Sequence, residues 1–127
     1  MIGHRVVGHA RLLTGHLLES RAHYDEALKL YDPVKHGVAA ARVGGHDARM
    51  NVLCHRARAL WLLGYPEAAL ADAGHAVSEA YKIEQAATLL HALSHAPITY
   101  VHCGDYCSAD ALLAELAKLA DETTPPA

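Results

Sequence analysis

Apolar positions recur at steps of three and four along most of the chain, and three glycines interrupt the pattern in the same way. In "DARMNVLCHRARALWLL" the residues Met50, Leu53, Cys54, Ala57, Leu60 and Trp61 fall on one face of an α-helix. Asp47 precedes them as an N-cap. Beyond "GYP", the residues Ala69, Leu70, Ala73, Ala76, Val77, Ala80 and Tyr81 repeat that spacing. Gly64 suits the end of the first helix, where φ is often positive, and Pro66 suits the first turn of the next, where its missing N–H costs nothing. So short a connection folds the two helices back against each other.

The same device occurs twice more. Gly15 precedes a helix carrying Leu17, Ser20, Tyr24, Ala27, Leu28 and Tyr31, and Gly104 precedes one carrying Ala109, Leu112, Leu113, Leu116 and Ala120. A small residue follows each glycine five positions on, as Ser20, Ala69 and Ala109. The pattern is an internal repeat of helical hairpins. It predicts an all-α fold of about three antiparallel hairpins stacked as a right-handed superhelix, in a single domain over 1–122. The hairpins cover about 2–32, 47–83 and 85–121. A connector over 33–46, marked by Pro33, Gly37 and Gly44-Gly45, holds one short helical turn in "GVAAARV", and 123–127 form a disordered tail.

Composition narrows the fold class and the partners. Hydrophobic residues make up 52% of the chain and Phe is absent, so the core is built from small and straight-chain residues that favour helices. A formal charge of −3 lacks the basic footprint of a nucleic-acid binder. No apolar run approaches the roughly 20 residues that span a bilayer, and the N-terminal stretch is broken by His, Arg and Gly, unlike a signal peptide. Cys54, Cys103 and Cys107 form no CxxC pair, which fits a reduced cytoplasm.

The repeated residues resemble the tetratricopeptide repeat. The first repeat supplies Gly8, Gly15, Ser20, Tyr24 and Ala27, the second Ala57, Gly64, Ala69, Ala73 and Ala76, and the third Pro97, Gly104, Ala109, Leu113 and Leu116. The repeats run longer than the roughly 34 residues of the standard form. "ALKLYDPVKH" and "RALWLLGYPEAAL" are also similar to the C-terminal repeat regions of bacterial signalling proteins that carry a nucleotide cyclase or winged-helix domain and a P-loop ATPase module. No GxxxxGK[ST] motif or cyclase-like acidic metal pair accompanies them. The resemblance implies a non-catalytic interaction module of a bacterial signalling system, not a cyclase.

In tetratricopeptide arrays the first helix of each hairpin lines a concave surface. Matched positions here are Arg5, His9, Asn51, Arg58, Trp61, His91, Ser94 and His102. An Arg/His groove suits a peptide with acidic side chains or a free carboxylate. Trp61, beside Leu60, equally fits the apolar core.

The 11 histidines raise a metal question. His91 and His95 have chelating spacing on one helix, but Cys103 stands roughly 12 Å further along it, so these residues share no ion unless Pro97 bends the segment sharply. No metal or other cofactor is expected. Catalysis is not expected either: His102 adjoins Cys103, yet neighbours on a helix point apart, and no oxyanion hole accompanies them. Two alternatives stand beside the interaction module. One is a self-associating element, because no capping repeat precedes the first helix. The other is a small regulator that binds a metal or ligand through its histidines.

Overall fold

A computed structural model of the chain describes residues 1–35 and 46–123. The fold is all-α. Among the described residues six long helices follow one another: α1 (Ile2–Leu13), α2 (Leu17–Leu30), α3 (Ala48–Leu62), α4 (Pro66–Ile83), α5 (Ala86–His102) and α6 (Tyr106–Thr123). They pair in sequence as α1–α2, α3–α4 and α5–α6, and α3 also packs against α2 and α5. None is long and apolar enough to cross a membrane.

Three turns of one design close the hairpins. Gly15, Gly64 and Gly104 have φ of 81°, 92° and 80°. In each turn the glycine N–H reaches back to the carbonyl three residues earlier, and the following N–H reaches one five residues earlier. The second bond is 2.9 Å for His16 to Arg11, for Tyr65 to Leu60 and for Asp105 to Tyr100. This is the Schellman arrangement, which satisfies the last carbonyls of a helix and needs the left-handed region that glycine enters freely. Pro66 opens α4 as the sequence predicts. Between the second and third hairpins, Glu84 takes the left-handed conformation instead, with φ of 55°.

Small residues let the helices meet closely. The buried face of α4 is a row of alanines, Ala69, Ala73, Ala76 and Ala80, all fully buried. They pack on Leu53, Cys54, Ala57 and Leu60 of α3 and on Ala92 and Ala96 of α5. In the first hairpin, Gly8 faces the buried Tyr24 ring so closely that a Cβ would lie 2.9 Å from it. Ser20 donates to the Gly8 carbonyl at 2.7 Å across the same contact. The buried aromatic that closes this hairpin therefore requires both a residue without a side chain and a short polar one.

Polar side chains bind the hairpins together. Asp47 caps α3 by accepting from the Arg49 and Met50 N–H groups, and it also accepts from the Tyr31 hydroxyl at the end of α2. Its own N–H donates to Thr88 of α5 at 2.8 Å. Arg56 of α3 grips Asp72 of α4 through two bonds of 2.7 and 2.9 Å and Asp25 of α2 at 2.8 Å.

Some boundaries differ from those the sequence predicts. Residues 33–35, assigned to the connector, are helical, because Asp32 accepts from the Val34 and Lys35 N–H groups and starts a turn. α6 runs to Thr123, one residue into the expected tail. The "GVAAARV" turn and residues 124–127 lie outside the described residues. Pro97 does not break α5, which runs uninterrupted from Ala86 to His102. Leu113 and Tyr81, placed on apolar faces by their spacing, are 43% and 46% exposed.

Candidate functional site

α1, α3 and α5, the first helices of the three hairpins, together form a groove of about 370 Å³ lined by Arg5, Val6, His9, Asn51, His55, His91 and His95. Among the described residues no acidic one lines it.

The imidazoles form a connected chain. His46 stacks on His91 with ring centroids 4.0 Å apart, and His91 lies 4.3 Å from His95. His55 lies 5.1 Å from His95 and 4.7 Å from His9, edge to face. Spacing accounts for this: His91 and His95 are one turn apart on α5, and His55 is one turn beyond Asn51 on α3.

Hydrogen bonds fix the protonation of these rings. The Asn51 carbonyl can only accept, so His55 Nδ1, 2.7 Å away, carries a proton; in the neutral ring that burial favours, His55 Nε2 then presents a lone pair. The Asn51 side-chain amide donates to Nε2 of His46 at 3.1 Å and of His91 at 3.4 Å. The Arg58 guanidinium donates to His95 Nδ1 at 3.4 Å. A nitrogen that accepts such a bond carries no proton, so His46, His91 and His95 are neutral here.

Burial acts in the same direction. It pushes His55 down to about 4, helped by the repulsion that His9 or His95 exerts when protonated and by Arg58, and opposed by the bond to the Asn51 carbonyl. It pushes His91 down to about 3, helped by His46, His95, His55 and Arg5. His46 and His95 are lowered for the same reasons, with Arg5 acting on the first and Arg58 on the second.

The two arginines are the fixed charges of the groove. Arg5 and Arg58 each bury an Nε that has no hydrogen-bond partner among the described residues. Neither meets a carboxylate within 4.0 Å among those residues. The nearby Asp47 carboxylate is already engaged by Tyr31 and by the first N–H groups of α3.

Of the residues the sequence singles out, Arg5, His9, Asn51 and His91 line the groove together, and Arg58 reaches it through His95. Trp61 and His102 form a separate stacked pair, with centroids 4.4 Å apart. Trp61 is half-buried and also packs against the cluster of Ala57, Leu60, Ala69 and Ala96, so it serves the core as well. Ser94 does not join the groove: it is exposed and donates to its own helix at the Leu90 carbonyl, 2.6 Å away. It lies three residues after His91, whereas the α5 face that meets the groove continues at the four-residue step to His95.

Sequence reasoning missed His55 and His46. The first is buried, at 5% exposure, on the inner edge of α3, and the second stands before the α3 cap. The i, i+4 step from Asn51 to His55 was a signal for the first, but nothing in the local pattern marks the second.

His91 and His95 are adjacent in space, yet among the described residues no group of three or more His, Cys, Asp or Glu is arranged to hold a metal ion. Cys54 is buried in the core, Cys103 is half-buried at the end of α5 and Cys107 is exposed on α6. Comparison with protein-family models, curated proteins and solved structures finds no match.

Proposed function

We propose that this chain is a non-catalytic interaction module whose groove captures a peptide through acidic side chains or a free carboxylate. The observation that carries the reading is the pair of arginines, Arg5 and Arg58, held without a carboxylate partner beside a groove with no acidic lining among the described residues. A guanidinium without a carboxylate partner beside a partly desolvated groove is matched by a planar carboxylate. The three hairpins and their repeated turns support a tetratricopeptide-like stack, read as a right-handed superhelix. By that resemblance the module serves a bacterial signalling or regulatory protein in the cytoplasm.

The test is calorimetric titration at pH 7.5 with a short Gly/Glu peptide bearing a free C-terminal carboxylate, against a Gly/Gln peptide amidated at its C-terminus. The acidic peptide binds and the neutral one does not. Arg5→Ala and Arg58→Ala each weaken binding about tenfold or more, as expected for a lost charge-assisted bond, with the melting temperature nearly unchanged. Equal binding of both peptides, or loss of folding in Arg58→Ala with binding intact in Arg5→Ala, contradicts the reading.

A second reading, self-association, is favoured by the apolar surface of the first hairpin, where Ile2, Leu13 and Leu18 are 62%, 71% and 73% exposed. Sedimentation velocity distinguishes it, since a concentration-dependent dimer would make this face an interface.

A further inference from the structure

We propose that the groove takes up a proton together with its carboxylate ligand, and that the proton goes to Nε2 of His55. The inference rests on the acidic-peptide reading above and adds how that site is controlled.

The argument starts from lone pairs. His55 donates through Nδ1 to the Asn51 carbonyl at 2.7 Å, and in the neutral ring its Nε2 is an acceptor. The Nε2 atoms of His46 and His91 accept from the Asn51 amide. A carboxylate carries only acceptors, so at His55 it would meet a lone pair and be repelled. One proton from solvent on Nε2 reverses this, because the imidazolium then donates to the ligand through Nε2 while Nδ1 keeps its bond to Asn51. No side chain has to move, and the carbonyl that fixes the neutral ring stabilises the charged one still more. Three of the other rings would have to give up or change a bond, His46 and His91 the one from Asn51 and His95 the one from Arg58. The fourth, His9, meets His55 edge to face and has no carbonyl partner among the described residues to hold its ring as Asn51 holds His55.

The surroundings explain why the proton waits for the ligand. The groups facing His55 are His9 from α1, Asn51 and Arg58 from α3, and His91 and His95 from α5, with Arg5 and His46 beyond them. None is acidic, and two carry fixed positive charge. Buried among them, His55 stays neutral well below its ordinary range. A carboxylate in the groove supplies the missing negative charge, and one within ion-pair distance raises such a group by about 1–3 pKa units. By linkage, whatever raises the affinity for the proton is itself bound more tightly as pH falls.

The experiment is titration of the full chain with the Gly/Glu peptide at pH 7.5 and 5.5, with a chelator present. Each pH is run in two buffers of different ionisation heat, which counts protons, and circular dichroism confirms folding at both. At the upper end of that range, a shift of about 2–3 units, binding is between about fourfold and about twentyfold tighter at pH 5.5, with net proton uptake. In His55→Asn the amide nitrogen retains the donor to the Asn51 carbonyl and removes Nε2, so binding persists at pH 7.5 and its pH dependence flattens. If that variant fails to fold, the two-buffer proton count on the unaltered chain still decides. Equal affinity at both pH values without proton uptake overturns the coupling and leaves the carboxylate site standing. Full pH dependence in His55→Asn places the proton elsewhere and overturns the assignment. No binding at either pH contradicts the peptide reading itself.

Discussion

Gly8 shows how one residue decides a helix contact. A methyl group there would meet the Tyr24 ring at 2.9 Å, and that ring is fully buried, so it has no room to withdraw. Gly3, on the same helix, has nothing within 4 Å of its Cβ position. Alanine in place of glycine gains about 1 kcal/mol of helix propensity at either site. Overpacking costs about 1–3 kcal/mol and applies only at the first. Chemical denaturation should therefore show Gly3→Ala stabilised and Gly8→Ala destabilised by up to about 2 kcal/mol. A gain in both would mean that the contact is soft. The need for glycine at position 8 was legible in the sequence only through the tetratricopeptide resemblance, because local propensity alone would favour alanine there.

At the scale of elements, periodicity and punctuation located the helices well. Gly15, Gly64 and Gly104 end their helices in the left-handed region, Asp47 caps α3, and Pro66 opens α4. Each of these signals is local, lying within a turn of the boundary it sets. What ties one hairpin to the next is not local, and it was not legible. Asp25 reads as part of a solvated helix face, yet it pairs with Arg56, which also holds the nearly buried Asp72. Lys29 and Lys82 do pair with acids on their own helices, Glu26 and Glu79, at exposed positions. Such pairs are worth little, whereas removing Arg56 leaves a carboxylate that is only 6% exposed without its partner. Because Arg56 itself is 22% exposed, the loss should fall at or below the lower end for buried pairs. Arg56→Ala is expected to cost about 2–3 kcal/mol in urea unfolding. A change below about 1 kcal/mol would show that water replaces the guanidinium.

For the whole molecule, the dominant electrostatic feature is a set of histidines kept neutral. The ordinary value of about 6.5 describes the unfolded chain, whereas burial holds His55 near about 4 and His91 near about 3 in the fold. As pH falls below about 6.5 the unfolded state binds these protons first, so stability decreases with falling pH. The contribution is fully present above that value and is lost down to about 4 for His55 and about 3 for His91. From His55 alone, moving from about pH 6.5 to about 5 should remove about 1.5 kcal/mol. Thermal unfolding across that range checks this, and a flat profile would show the rings to be solvated. A chain with 11 histidines holds many groups that titrate near neutral pH, but which rings carry a pH response depends on how α1, α3 and α5 converge. Four of the groove residues were found from repeat positions, while His46 and His55 became visible only with the helices assembled. The central claim is that this convergence makes the groove the binding surface for carboxylates. The most direct measurement is a ¹⁵N NMR titration of the imidazoles with the Gly/Glu peptide. His9, His46, His55, His91 and His95 should shift together and saturably, while His16 and His75, exposed elsewhere, stay still. Shifts at His16 or His75 with the groove rings unmoved would contradict the account.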